Sequence, residues 1–319
     1  MKLLSLLSVI ALTGAPAVTA GPSAASALTC PPAVAKVTAV AAEVADGLDL
    51  TSCGAPKTVV ADDIAVAIPA PGTGVMAIGV QTDGSDAHLT VQTDAEGVVS
   101  VTVEDHAAVT APQRAAAVSR CKDNAVHVQG VKWYASPTYR INTSERRPSN
   151  LSSATWTNLI TQSWSTVKNG TDGCGLTRAL AVPGRIGAAT TVDANMSGNT
   201  CTKPDAHSVI DFGNLTGSTL GLTCVVFKTH SGHDEILRAD VRLDSSSRAW
   251  ITNPKGCTGS RFDARSVLTH ELGHAVGLAH AVERGGNDLT MSPQITACNA
   301  SARLFGAGDL TSLYSLYKK

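Results

Sequence analysis

His270, Glu271, His274, Gly277 and His280 stand at the spacing H-E-x-x-H-x-x-G-x-x-H. On a helix, His270 and His274 lie one turn apart on the same face. Two neutral imidazoles placed that way can grip one zinc ion. Glu271 sits beside the first ligand without occupying the metal. Gly277 reaches a positive φ at low cost, so the helix can end there and the chain turn back. His280 then arrives as a third ligand from another direction. Three protein ligands leave a fourth tetrahedral position for water, as in catalytic rather than structural zinc sites. Zinc lowers the pKa of such water to about 7. Glu271 would take the proton as hydroxide attacks a peptide carbonyl, then pass it to the leaving amine. An amphipathic core helix is the plainer alternative, but it gives no reason for these five residues to coincide.

The pattern resembles that of the metzincin metalloproteases. That family has a methionine turn beneath the metal. Asp288-Leu289-Thr290-Met291-Ser292-Pro293 follows His280, with Met291 as the candidate floor residue and not a ligand. Astacins and serralysins carry a tyrosine two residues after the methionine, where Pro293 stands here, so the likeness is to matrixins and snapalysins. Val131-Lys132-Trp133-Tyr134 and Thr138-Tyr139-Arg140-Ile141-Asn142 resemble the first matrixin strand. Gly308-Asp309-Leu310 through Tyr317 resembles the last matrixin helix. Gly308 replaces the second acid of some matrixins, so their salt bridge to a new N-terminus is not expected.

The resemblance covers about residues 132–317. It implies an α+β catalytic domain: a twisted mixed sheet, a packing helix, the zinc-binding helix and a C-terminal helix. It implies a secreted zinc metalloendopeptidase acting on protein or peptide substrates. It further implies that the strand at 236–243 borders the cleft and pairs with an extended substrate. Alternating charges in that strand also suit an edge. Calcium stabilises many relatives, and Asp240 and Asp244 are candidate ligands.

These residues need elements to hold them. Asp263 can cap the active-site helix, with Val267, Leu268, Leu272 and Val276 towards the core. In 148–170, Leu151, Trp156, Leu159, Ile160, Trp164 and Val167 recur at helical spacing before an Asn169-Gly170 stop. Strand-like runs follow at 209–212, 220–228 and 236–243. Leu310, Leu313, Tyr314 and Tyr317 give the last helix one apolar side.

The chain starts with Lys2, an apolar run from Leu3 to Leu12, and small residues up to Ala20 or Ala27. This reads as a secretory signal over 1–27, too short to span a bilayer. An extracellular protein without a membrane anchor is expected, as a monomer. A net charge of −1 gives no reason to expect nucleic acid as a partner. Eight cysteines behind a leader predict disulfides. Sequence proximity suggests Cys30–Cys53, Cys174–Cys201 and Cys224–Cys257, leaving Cys121–Cys298. The stretch around Cys121 partly resembles the cysteine switch of matrixins but lacks its prolines and glycine, and the even count favours a disulfide. His230 and His233 read as a polar loop, with a second metal site as the alternative.

All twelve aromatic residues lie at or after Trp133. Residues 28–115 therefore read as a separate β-rich pro-segment or accessory domain, with a helix at 34–44, strands at 58–68 and 75–81, and a hairpin over 88–103. Residues 107–117 read as its linker, and 116–319 as the catalytic domain. Other functions stay open at this point: a secreted binding or adhesion protein with a vestigial protease domain, or a peptidase dedicated to one partner.

Overall fold

The computed structural model describes residues 38–45, 58–85, 87–104, 119–143, 147–245, 249–281 and 289–319. The expected leader, the Cys30–Cys53 pair, the linker at 107–117 and residues 282–288 of the loop after His280 lie outside them.

The chain is a mixed α/β protein with large sheets and few helices. In order, β1 is Thr38–Val40, α1 Ala41–Ala45, β2 Thr58–Ala61, β3 Ile64–Ala67, β4 Thr73–Gln81, β5 Ala87–Thr93 and β6 Val99–Glu104. Then come β7 Val131–Lys132, β8 Thr138–Asn142, α2 Ser153–Asn169, β9 Arg185–Thr190, β10 Met196–Ser197 and β11 Thr200–Cys201. The rest is β12 Ser208–Gly213, β13 Thr219–Lys228, β14 Asp234–Asp244, β15 Ala249–Ile251, β16 Arg261–Asp263, α3 Ala264–His274 and α4 Ala307–Tyr317.

The main sheet runs β6-β5-β4-β13-β14-β12-β8-β9, with β7 also on β14. Strands β14, β12, β8 and β9 are parallel, and β13 and β4 are antiparallel to their neighbours. A second sheet, β1-β2-β3-β11-β10, joins N-terminal strands to the segment around Cys201. Alternation sorts side chains between two cores. From β4, Met76, Ile78 and Val80 enter the larger core, which also holds the apolar faces of α2, α3 and α4. Val75 and Ala77 enter the smaller core shared with the second sheet. Covered on both faces, β13 reads as a nearly continuous apolar run.

Local signals hold where they were strong. Ser152 Oγ accepts the Thr155 N–H at 3.1 Å to start α2, and Gly170, at φ 59°, ends it. The six apolar residues expected on its inner face are all buried. The hairpin of β5 and β6 turns at Asp94–Gly97, where Asp94 Oδ1 accepts the Val98 N–H.

Four expectations need correction. Within 34–44, residues 38–40 are not helical but pair in parallel with 58–60, and helix forms only at Ala41–Ala45. The run 58–68 is two strands, because Asp62 takes φ 49° and turns the chain. The strand at 236–243 is no edge: β14 has β13 on one side and β12 on the other. Asp240, Arg242 and Asp244 alternate along it but are buried, not solvated. Arg242 bonds Asp211 at 2.6 and 2.8 Å and the Met196 carbonyl at 2.9 Å. The disulfides are Cys121–Cys174, Cys201–Cys224 and Cys257–Cys298. For one pair the sheets override sequence proximity: Cys201 of β11 and Cys224 of β13 both lie in the smaller core. With Cys121 bonded to Cys174, it is not a thiol switch. Among the described residues, no helix is long and apolar enough to cross a membrane.

Candidate metal centre

Helix α3 begins where Asp263 Oδ2 accepts the Ser266 N–H at 2.9 Å and Ser266 Oγ at 2.8 Å. Arg303 pairs with the same carboxylate. The helix buries Val267, Leu268 and Leu272, and Val276 just after it, as expected. It ends at His274, and Gly277, at φ 97°, reverses the chain. The Leu278 N–H bonds back to the Gly273 carbonyl at 3.0 Å. A side chain at Gly277 would meet the Val131 carbonyl, so the turn needs glycine for space as well as for φ.

The turn brings His280 back over the helix. Its neighbours hold it: the Ala279 N–H donates to His127 O at 3.1 Å and the Ala281 N–H to Met291 O at 2.8 Å. The three Nε2 atoms of His270, His274 and His280 lie 2.9, 3.1 and 3.2 Å apart. Among the described residues this is the one group of three or more His, Cys, Asp or Glu side chains close enough to hold a metal ion.

The His270–His274 contact is not a hydrogen bond. His270 Nδ1 lies 2.7 Å from the Thr290 carbonyl, and His274 Nδ1 2.8 Å from the Leu278 carbonyl. A carbonyl only accepts, so the protons sit on Nδ1 and both Nε2 atoms present lone pairs. Burial, with the two neighbouring imidazoles, holds His274 well below the ordinary imidazole pKa and therefore neutral. Lone pairs converging in a buried site call for a cation between them. Zn–N bonds of 2.0–2.1 Å in a tetrahedron put nitrogens about 3.3 Å apart, close to the spacing here.

Glu271 lies beside the triad and is fully buried. Its Oε2 accepts Thr223 Oγ1 at 2.5 Å, and its Oε1 accepts the Val80 N–H at 3.4 Å. A side chain at Gly221 on β13 would collide with this carboxylate. Burial pushes the Glu271 carboxyl up to about 8, against the hydrogen bonds from Thr223 and Val80, which lower it. Ionisation at neutral pH therefore needs a neighbouring positive charge.

Met291 lies under α3, where a side chain at Gly273 would strike its sulfur. Two supporting residues, Thr223 and Gln129, went unread in the sequence, and Asp309 is legible there only as part of the last helix. Thr223 left a trace, a lone hydroxyl in an apolar run. Gln129 Nε2 donates to Leu278 O at 2.6 Å, the carbonyl that faces His274.

The other candidates stay apart. Asp240 accepts from the Val209 N–H and from Asn195, while Asp244 accepts the Leu215 N–H four residues along the same strand. They form no calcium cluster among the described residues. His230 stacks on Tyr134 with centroids 4.1 Å apart and joins no metal group. No protein-family model matches the chain, and neither a curated protein nor a solved structure matches it.

Proposed function

We propose that this chain is a secreted zinc-dependent endopeptidase. The observation that carries the reading is the convergence of three buried imidazole nitrogens beside one buried carboxylate. His270, His274 and His280 would hold the metal, and their Nδ1 or backbone partners fix the rings in place. Bound zinc supplies Lewis acidity for a carbonyl and makes hydroxide accessible near neutral pH. Glu271 is the general base: it takes the proton of the attacking water and returns it to the leaving amine. Thr223 orients that carboxylate from β13. Met291 closes the floor with an apolar surface.

The three disulfides suit an oxidising compartment, and the leader-like residues 1–27 would direct the chain there. The test uses the mature secreted protein, with its N-terminus sequenced. Casein hydrolysis that a chelator abolishes and zinc restores is expected. Hydrolysis indifferent to chelation would remove zinc from the reading.

A further inference from the structure

Four parallel strands lie side by side in the order β14-β12-β8-β9. Each brings one basic side chain near its start. Arg238 lies in β14, His207 just before β12, Arg140 in β8, and Arg185 opens β9. The neighbouring residues Ala239, Tyr139 and Ile186 pack on the larger core, so the three arginines point to the other face of the sheet. There all four basic residues line one cavity of about 470 Å³, together with Trp133, Pro137 and Leu237. Among the described residues no acid lines it. The acids next to these residues in sequence are engaged elsewhere. Asp205 Oδ1 accepts the His207 N–H at 2.6 Å, and Asp240, two residues past Arg238, accepts from the Val209 N–H and Asn195. Arg140 Nη1 reaches His207 Nε2 at 3.4 Å. The Nε of Arg238 is buried and meets no acceptor. A buried donor left unpaired is costly, and three guanidinium groups around one cavity repel each other. A multiply charged oxyanion between them relieves both penalties.

We infer that this cavity is a binding site for a small organic phosphate monoester, a ligand that the peptidase reading does not call for. A guanidinium presents its N–H groups in a rigid fork that matches the oxygens of a phosphate. Three such forks suit a tetrahedral dianion better than a carboxylate, which has two oxygens and one charge to share among them. The cavity falls in the usual range of small-ligand pockets, roughly 300–1,000 Å³, so it has room for more than a bare ion. Trp133, Pro137 and Leu237 give the organic part an apolar wall. The site is separate from the metal centre: His270, Glu271, His274 and His280 do not line it.

Calorimetric titration of the full-length protein tests this, with phenyl phosphate, inorganic phosphate and benzoate as probes and chloride holding the ionic strength constant. One phenyl phosphate per chain is expected, bound at least about 10-fold more tightly than benzoate. Inorganic phosphate should bind more weakly than phenyl phosphate, and equal affinity would overturn the place given to the organic part. R238M removes the unpaired donor. R185M removes an exposed guanidinium and should leave the fold intact. Each should weaken phenyl phosphate binding by at least about 10-fold. Unchanged affinity in either variant, or no saturable binding by the unaltered protein, overturns the inference. Should R238M fail to fold, R185M decides alone.

Discussion

Asp309, in the first turn of α4, accepts the backbone N–H of Met291 at 3.2 Å through Oδ1. Its Oδ2 accepts the N–H groups of Thr290 and Gly306, each at 2.8 Å. The Thr290 carbonyl in turn faces His270 Nδ1. One carboxylate thus starts the last helix, holds the methionine turn and sets a ligand ring. D309A would leave three buried donors without it, at a cost of about 3–5 kcal/mol. It should also weaken zinc binding by about 10–100-fold. Urea unfolding of the metal-free protein and chelator competition measure the two separately. A stability loss with unchanged zinc affinity would reduce Asp309 to a helix cap.

The triad and the base should part company on mutation. In the mature protein, E271A is expected to keep its zinc and lose hydrolysis by at least about 100-fold. H280A is expected to lose zinc on dialysis, since two ligands remain. Elemental analysis beside a casein assay reads both. Activity in E271A, or full zinc in H280A, would contradict the assigned roles.

How much of this was legible beforehand follows from how local each signal is. The pair His270 and His274 needs only helical spacing, and Gly277 announces its turn, so the centre could be read residue by residue. Ser152, Asp263 and Gly170 mark helix ends through contacts within a few residues. The pairing of β4 with β13 joins residues more than a hundred positions apart, and nothing in either run specifies it. The disulfides join residues only 23 to 53 positions apart, yet which cysteines meet is decided by packing and not by order along the chain. Asp240 and Arg242 misled for another reason: alternating charge marks either a solvated edge or a covered polar layer, and only the segment around Ala194 and Met196, lying over them, decides which.

Asp240 gives a pH test. Burial pushes its carboxyl up to about 7, against hydrogen bonds from the Val209 N–H and Asn195. Between about pH 4 and 7 the folded protein keeps a proton that the unfolded chain has released. The folded state then binds more protons, so stability falls as pH rises through that window and levels off above it. D240N lacks this proton. Its stability relative to the unaltered protein should rise by up to roughly 4 kcal/mol from pH 4 to pH 8. Urea midpoints at the two pH values test it; a constant difference would count against a buried, protonated Asp240.

The Cys201–Cys224 bridge closes a 23-residue separation and ties the second sheet to β13. Replacing both with serine should cost about 3 kcal/mol. Zinc affinity should be nearly unchanged, because the pair lies in the smaller core and the centre faces the larger. Thermal unfolding with and without zinc checks both halves of the statement.

Trp133 donates its indole N–H to the Ala275 carbonyl at 2.8 Å, just past the end of α3, where Tyr139 OH also donates at 3.1 Å. Tyr317 OH donates to the adjacent Val276 carbonyl at 2.9 Å. The protein therefore carries its own optical gauge. Emission from that buried indole is tied to the terminus of the helix bearing His270 and His274, so loosening there would redden Trp133 fluorescence without any added dye.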